Sequence, residues 1–375
     1  MAREFRKNLL LLLTSIGFAL LLGELILRPF FPAVRQDSLF PPGLQFQLTP
    51  DPDIFPGIAG ISRYQVNQLG FRGTDPAPAA RHILVIGGST AECLYLDQEE
   101  TWPALLESQL NRQQPVWIGN FSKSGLHSGH HLQQLYWLQQ VPALQDVKLV
   151  YCLTGFNDLI HFLGNDSLYL SASDNDLYRF AFTFKGDGQL PWFKQLSFWK
   201  ALASLKKVKD TLHQQDNKGA QYALWRQYRL QDSMKKEQLP DLSAALAQYA
   251  RNIEAMIRFS AEHGIKIIFI TQPVCWNAPA VPADEPWFWL GKKGDFADPS
   301  KGYYYNTAAL ANGMDQFNAV LRNTVLRQKG YLADLAAQLP KNRTIFYDDC
   351  HFTEAGAKAV AAFLGHYTDS LQLLR

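Results

Sequence analysis

Five short apolar runs, separated by longer stretches of helical periodicity, constrain the fold of this chain more than any other feature. The runs show no regular alternation of polar and apolar residues, which is typical of parallel strands that helices cover on both faces. They occupy residues 82–86, 116–120, 148–153, 265–271 and 331–335. Helical patterns cover residues 102–110, 132–138, 242–263, 314–329 and 353 to the C-terminus. Strands that alternate with helices predict an α/β fold with a doubly wound, five-stranded parallel sheet.

An almost unbroken apolar run from residue 9 to residue 27 precedes the predicted sheet. This length is enough to cross a bilayer as a helix, and no small-x-small cleavage pattern marks the end of the run. We therefore expect an uncleaved signal anchor in residues 1–30, with residues 8–28 forming a transmembrane helix. Basic side chains before a span favour a cytoplasmic N-terminus, so the rest of the chain should lie on the outer side. The basic residues here are Arg3, Arg6 and Lys7.

Two further segments fall outside the predicted sheet. Residues 31–80 are rich in Pro, Gly and Gln and predict a tether that leads into an extended segment. Residues 164–240 contain no run typical of a core strand, so we expect a helical insertion there. Its aromatic and basic side chains suit a lid, a surface that rests on the membrane, or an elaboration with a small core of its own. The main domain is expected to span residues 81–375.

Composition and cysteine spacing exclude several classes of partner. The chain has Lys+Arg 36 and Asp+Glu 34, and the resulting net charge of +2 gives no reason to expect nucleic acid. The four cysteines lack the spacing of a disulfide scaffold or a zinc site, so we expect no metal. One disulfide stays open as an alternative, between Cys275 and Cys350, because both residues follow predicted strand ends.

Candidate functional residues follow the first three predicted strands, where the loops of a parallel sheet converge. Ser89 comes directly after the first strand at the start of a helix, where a serine is either an exposed nucleophile or an N-cap. Gly125 follows the second strand and suits either the close approach of a backbone N–H to a substrate or an ordinary loop. Asn157 follows the third strand, and its amide is either an oxyanion donor or a turn residue.

A carboxylate and a histidine stand together before the last predicted helix. Asp348 precedes His351 by three residues, which allows the carboxylate to hold the imidazole in one tautomer while the other nitrogen takes a serine proton. Asp349 is a competing carboxylate. Each motif is weak alone, but together they occur in an order that predicts a serine hydrolase site.

In these four blocks the chain resembles the SGNH hydrolases, whose name-giving residues match Ser89, Gly125, Asn157 and His351. The resemblance implies a flavodoxin-like, three-layer α/β/α fold that needs no cofactor. It implies that Ser89 is the nucleophile and that His351 and Asp348 complete a catalytic triad. The backbone N–H groups of Ser89 and Gly125 and the Asn157 amide would form the oxyanion hole.

The first block reads Gly-Gly-Ser-Thr, whereas the GDSL enzymes take their name from a Gly-Asp-Ser form. Together with residues 66–73, this variant is similar to anchored SGNH proteins that are linked to bacterial surface polysaccharide. The resemblance covers roughly residues 81–162 and 242–371. It implies a single-pass protein of the bacterial inner membrane with its catalytic domain on the periplasmic side.

We expect an esterase that acts through an acyl-enzyme, most simply a carbohydrate O-acetylesterase acting on acylated cell-surface glycan. A sugar hydroxyl in place of water would make the same machinery an O-acyltransferase, and the anchor also fits a lipase-like or lysophospholipase-like enzyme. The alternative of another class is a non-catalytic glycan-binding or assembly protein. Trp276 and His127 are expected at the rim of the site as substrate-binding residues.

Overall fold

The chain forms two compact units in the computed structural model. The first, here called the helical unit, comprises Met1–Ser38 and Phe182–Lys218. The second, here called the sheet unit, comprises Leu39–Ala181 and Gly219–Arg375. The structure describes residues 2–31, 37–77, 80–186, 190–204, 218–231, 235–294 and 301–374.

The described residues form nine strands, all within the sheet unit. In chain order these are β1 (Gln45–Leu48), β2 (Ser62–Gln65), β3 (Arg81–Gly87), β4 (Val116–Asn120), β5 (Leu149–Leu153), β6 (Lys266–Ile270), β7 (Lys292–Lys293), β8 (Tyr303–Tyr304) and β9 (Tyr331–Ala333). Five of them form one parallel sheet in the order β4-β3-β5-β6-β9. The predicted five-stranded, doubly wound parallel sheet is therefore confirmed.

The topology of this sheet determines where a ligand would bind. β4 and β5 are buried along their whole length, as expected for strands that helices cover on both faces. β3 lies between β4 and β5, so the chain winds in one direction first and then in the other. Open α/β sheets bind ligands outside the carboxyl ends of the strands at such a switch point. A ligand site is therefore expected at the residues that follow β3, β4 and β5.

Helices surround the sheet. The described helices are α1 (Ala2–Leu27), α2 (Ser89–Glu92), α3 (Trp102–Leu110), α4 (Ser128–Leu138), α5 (Phe156–Gly164), α6 (Asp166–Ser171), α7 (Asp174–Ala181), α8 (Trp192–Gln195), α9 (197–204), α10 (Lys218–Gln231), α11 (Ser243–His263), α12 (Thr307–Arg327), α13 (Leu335–Gln338) and α14 (Glu354–Ser370). α14 packs against α3, whereas α11 packs against both α4 and α12. These two groups of helices fit the layered arrangement that the sequence predicted.

Two helices begin earlier than their apolar periodicity predicted. α4 begins at Ser128 because the side chain of His127 accepts a hydrogen bond from the first turn, Gly129 N, at 3.2 Å. α12 begins at Thr307 because the Asn306 side chain accepts from the third helical residue at 2.8 Å. Such caps satisfy backbone N–H groups that would otherwise lack partners. The caps therefore set the first residue of each helix several positions before the run that the apolar pattern marked.

Residues 31–80 are predicted as a tether that leads into an extended segment, but residues 39–77 belong to the sheet unit, and β2 lies in the predicted extended part. β1 and β2 form an antiparallel pair within this segment. Phe55 and Phe71 are almost completely buried, and the guanidinium of Arg72 is buried with them. A tether has no need to bury aromatic rings, so this segment is part of the folded core.

The expected single insertion at residues 164–240 is divided between the two units. Residues 166–181 form α6 and α7 in the sheet unit, and residues 182–218 belong to the helical unit. From residue 219 onward, α10 returns to the sheet unit.

The helical unit contains one long apolar helix. Arg3–Leu27 is long and apolar enough to cross a membrane, with a mean hydropathy of 2.3, and its most apolar stretch is not buried in the protein. The predicted N-terminal apolar helix is thus confirmed by length and composition.

Candidate active site

The turn after β3 presents Ser89 at the carboxyl edge of the sheet. β3 ends at Gly87, and Ser89 is the first residue of the short helix α2. A Cβ atom on Gly88 would clash with the Asn157 amide nitrogen, so glycine leaves room for the Asn157 side chain to lie against this turn. The same imaginary atom would lie 3.3 Å from the Leu126 carbonyl oxygen. The loops after β3, β4 and β5 therefore meet beside Ser89, as predicted for a parallel sheet.

Ser89, His351 and Asp348 form a continuous chain of hydrogen bonds. His351 Nε2 lies 2.7 Å from Ser89 Oγ. On the other side of the ring, His351 Nδ1 lies 2.7 Å from Asp348 Oδ2 and 2.9 Å from Oδ1. This geometry allows the ring to take a proton from the serine while the carboxylate holds its other nitrogen.

Asp348 is held in place by three further donors. The backbone N–H groups of Cys350 and His351 donate to Asp348 Oδ1 at 3.0 and 2.9 Å. The Trp289 indole N–H donates to Oδ2 at 3.0 Å. Residues 348–351 thus form a tight loop that fixes the carboxylate against the imidazole. Trp289 lies in the loop after the fourth predicted strand, and its contact with Asp348 was not predicted from the sequence.

Electrostatics favour a charged pair between Asp348 and His351. Burial alone would raise the pKa of Asp348, but the charge of His351 and its hydrogen bonds outweigh burial and lower this pKa. Burial alone would likewise lower the pKa of His351, but the charge and hydrogen bond of Asp348 outweigh it and raise this pKa. The imidazole is therefore a stronger base than an isolated histidine.

The adjacent carboxylate, Asp349, has a different environment. It accepts hydrogen bonds from the Trp276 indole at 2.8 Å and from the backbone N–H of Trp289 at 2.9 Å. Burial, followed by repulsion from Asp348, raises the pKa of Asp349 to about 6. Asp349 thus holds the loop around Trp276 and Trp289, whereas Asp348 contacts the imidazole.

Gly125 and Asn157 lie on the loops that meet beside Ser89. Gly125 has a φ of +84°, a conformation that L side chains rarely adopt. The Asn157 side-chain amide donates to the Leu126 carbonyl at 2.8 Å. An amide nitrogen carries two protons, so this bond orients the side chain and leaves its second N–H for another acceptor.

A buried carboxylate connects the Ser89 turn to the Gly125 loop, although sequence reasoning did not single it out. Glu92 Oε2 accepts from the backbone N–H of Ser124 at 2.5 Å and from its hydroxyl at 2.6 Å. The phenol of Tyr64 donates to Glu92 Oε1 at 3.0 Å. Glu92 lies in α2 and Ser124 directly precedes Gly125. The carboxylate therefore fixes the distance between the two loops.

The end of α2 is held by a buried arginine from the N-terminal segment. Arg72 Nη1 donates to the carbonyl oxygens of Glu92 and Cys93 at 2.6 and 2.5 Å, and Nη2 donates to Leu96 at 2.7 Å. Helix ends leave such carbonyl groups without intrahelical partners. The only sequence signal for this role was the segment 66–73, which the family resemblance had marked.

The structure does not place Trp276 and His127 at the rim of a cleft. Trp276 is completely buried, with its indole N–H bonded to Asp349. His127 is also buried and caps α4. Burial, followed by the charge of His130, lowers the pKa of His127 well below its ordinary value. The expectation that these two side chains contact a substrate is therefore corrected, because neither has a surface that a substrate can reach.

Each of the four cysteines is a buried free thiol, so the disulfide considered between Cys275 and Cys350 is not formed. Ligand atoms of Asp348, Cys350 and His351 lie within 4.8 Å of one another, a separation that also suits a metal ion. Burial, followed by the charge of Asp348, raises the pKa of Cys350 well above its ordinary value. Metals bind thiolates, and His351 Nδ1 already contacts Asp348, so the cluster suits proton transfer better than metal binding.

A small cleft opens beside Ser89. Its walls include Tyr95, Leu96, Tyr347 and His351. The rings of Tyr347 and His351 stack at 5.5 Å with an interplanar angle of 11°. The cleft therefore combines a polar end at the serine with aromatic and aliphatic walls.

The model of the GDSL-like lipase/acylhydrolase family matches residues 85–359, which include Ser89, Gly125, Asn157, Asp348 and His351. The chain belongs to this family. The predicted family is thus confirmed, and the activity class of this GDSL-like hydrolase is that of an esterase or acylhydrolase. None of the curated proteins matches the sequence significantly.

Several solved structures resemble the chain at low identity. TesA is 14% identical with a TM-score of 0.41, and the match covers 77% of this chain and 99% of TesA. A GDSL-like lipase from Bacteroides thetaiotaomicron is 11% identical with a TM-score of 0.40, covering 79% of this chain and 91% of the lipase. The acetyl xylan esterase AlAXEase is 11% identical with a TM-score of 0.39, covering 76% and 97% of the two chains.

Proposed function

We propose that this GDSL-like hydrolase is a membrane-anchored serine esterase with Ser89, His351 and Asp348 as its catalytic triad. The observation that carries the proposal is the unbroken hydrogen-bond chain, 2.7 Å from Ser89 Oγ to His351 and 2.7 Å from His351 to Asp348. A serine that serves only as an N-cap has no need of a buried imidazole and carboxylate behind it. The reaction uses protein groups and water, so no cofactor is proposed.

The geometry supports acyl transfer in two steps. His351 Nε2 takes the proton of Ser89 Oγ as this oxygen attacks the ester carbonyl, and the proton then passes to the leaving alcohol. Water next attacks the acyl-enzyme, giving one proton to His351, which returns it to Ser89 as the acid leaves. Asp348 stabilises the imidazolium in both steps and does not itself take the proton.

We assign the oxyanion hole to the backbone N–H groups of Ser89 and Gly125 and to the second amide N–H of Asn157. The loops that carry these groups meet beside Ser89, and the Leu126 carbonyl orients the Asn157 amide. Each donor of this kind lowers the barrier by roughly 3 kcal/mol because it is already in place when charge develops.

The size of the cleft favours a short acyl group. Its enclosed part has room for about one water-sized group, and the remaining space opens to solvent. The walls formed by Tyr95 and Leu96 suit a methyl group, while an extended chain would need more room. We therefore propose an acetyl ester as the substrate.

We propose that the acetyl group is carried by a cell-surface polysaccharide. The apolar helix α1 would anchor the protein in the bacterial inner membrane, and the three basic residues in its first two turns favour a periplasmic location for the rest of the chain. An enzyme in that location meets exported glycans and lacks access to cytoplasmic esters.

The test is hydrolysis by the full-length chain, in membranes, of acetylated glycans and of p-nitrophenyl esters with two to twelve carbons. We expect acetate release and a preference for the shortest ester, with no activity in Ser89→Ala. Preference for long esters would favour a lipase-like enzyme and contradict the acetyl proposal. Activity that is equal in wild type and Ser89→Ala would overturn the serine mechanism. Transfer of acetyl to added sugar, in place of release, would make the enzyme an O-acyltransferase.

A further inference from the structure

The helical unit exposes a cluster of large apolar side chains that the esterase mechanism does not use. They lie on α8, on α9 and at the residue between them, within a stretch that is here called the interfacial segment (residues 191–204). Trp192 is 75% exposed and Leu202 is 52% exposed. The other exposed members are Phe193, Leu196, Phe198 and Trp199. The Phe193 ring contacts those of Trp192 and Trp199, and a cluster of exposed apolar side chains of this kind usually marks a site of interaction.

The interfacial segment is attached to the end of α1. The backbone N–H of Phe198 donates to Glu24 Oε2 at 3.2 Å, and the Ser197 hydroxyl donates to the carbonyl of Phe31 at 3.2 Å. α1 ends at Leu27, between these two points of attachment. The segment is therefore held at the level where the proposed span leaves the hydrocarbon.

This attachment also accounts for the acidic residue of the apolar helix. A carboxylate within a span is costly unless it reaches the interface or a partner. Glu24 accepts a hydrogen bond from the first turn of α9, where the helix dipole favours negative charge. The partner of Glu24 is thus part of the interfacial segment itself.

We propose that the interfacial segment lies in the headgroup layer of the lipid bilayer, beside the outer end of α1. Trp and other aromatic side chains are enriched at this depth, where one side of the ring contacts acyl chains and the other contacts water. Lys194 is also exposed and suits the phosphate groups of lipids. The inference rests on the proposed membrane span and is independent of the esterase chemistry.

The test is photocrosslinking of the full-length chain in cell membranes, with p-benzoylphenylalanine placed at single positions. Trp192 and Phe198 are the test positions. Leu20 within α1 is the positive control, and Tyr136 of α4, which is 42% exposed compared with 45% for Phe198, is the matched control in the sheet unit. We expect the yield of lipid adducts at positions 192 and 198 to be within a few-fold of the yield at position 20. It should be at least tenfold higher than the yield at position 136.

Yields at 192 and 198 as low as those at 136, with strong labelling at 20, would overturn the inference while leaving the span intact. Adducts with a protein instead of lipid would also overturn it. The absence of lipid adducts at position 20 would contradict both the proposed membrane span and the inference. Acetate release would still test the proposed esterase activity separately.

A second measurement needs no unnatural residue. Two of the nine tryptophans, Trp192 and Trp199, lie in the helical unit. In vesicles of phosphatidylcholine brominated near the headgroup, we expect the tryptophan fluorescence of the wild-type protein to be quenched. The Trp192→Phe, Trp199→Phe double variant should lose this quenching. Equal quenching in both proteins would contradict the inference.

Discussion

Replacing Asp348 with asparagine should reverse the tautomer of His351. Asp348 Oδ1 accepts two backbone N–H groups, from Cys350 and His351, so the amide oxygen of the asparagine must take this position. The NH2 group then replaces Oδ2, which lies 2.7 Å from His351 Nδ1 and 3.0 Å from the Trp289 indole nitrogen. An NH2 group donates, and because it occupies the shorter of the two contacts with Nδ1, it favours an unprotonated Nδ1 and a ring proton on Nε2.

A protonated Nε2 cannot take the proton of Ser89, which lies 2.7 Å away. The equivalent change in serine proteases lowers turnover about 10⁴-fold, a rise of about 5 kcal/mol in the barrier. We expect a loss of this size for Asp348→Asn in the steady-state hydrolysis of p-nitrophenyl acetate. Thermal unfolding of the same preparation shows whether the protein is folded.

Asp349→Asn is the matched control, because it removes the same charge from the adjacent residue. Asp349 contacts Trp276 and the backbone of Trp289, and no hydrogen bond joins it to His351 among the described residues. We expect its turnover, per folded molecule, to stay within about tenfold of wild type. If Asp348→Asn retained more than a tenth of wild-type turnover, or if Asp349→Asn were the more damaging change, the assignment of Asp348 would be refuted.

The value of kcat/KM should rise with pH, because His351 acts as a base only when neutral. The midpoint of this rise should lie above about pH 6.5, since Asp348 raises the pKa of His351. A midpoint below that value would contradict the pairing. Asn157→Ala should lower turnover about a hundredfold without unfolding the protein, whereas near-normal turnover would make Asn157 a turn residue. Glu92→Ala should lower turnover about tenfold or more by releasing Ser124, whereas Glu92→Gln should retain most activity, because its oxygen can still accept from Ser124. Equal turnover in the two Glu92 variants would exclude this positioning role.

The sheet and the central residues of the site could be predicted because they depend on local patterns. Continuous apolar runs mark strands that are covered on both faces, and parallel strands bring their carboxyl ends to one edge. Ser89 and Asn157, 68 positions apart in sequence, were expected together for this reason, and the Gly88–Asn157 contact confirms that their loops meet. Asp348 and His351 lie on one loop, so their contact follows from spacing alone.

The remaining features depend on packing between distant segments, which a single sequence does not display. An aromatic residue in a Pro-rich loop suits a rim or a core equally, and Trp276 is in the core because Asp349 supplies a buried acceptor for its indole. Arg72 and Glu92 look like surface charges in the sequence. They are buried because loop carbonyl and N–H groups from other segments satisfy them.

The central claim, that Ser89 is the nucleophile, is tested most directly by covalent labelling with a fluorophosphonate probe. The full-length protein should gain one phosphonyl group, and peptide mass spectrometry should locate it on Ser89 Oγ. His351→Gln keeps the serine but removes its base, so its labelling should slow by about a hundredfold or more. Labelling that persists in Ser89→Ala, or an adduct on another residue of the wild-type protein, would contradict the account.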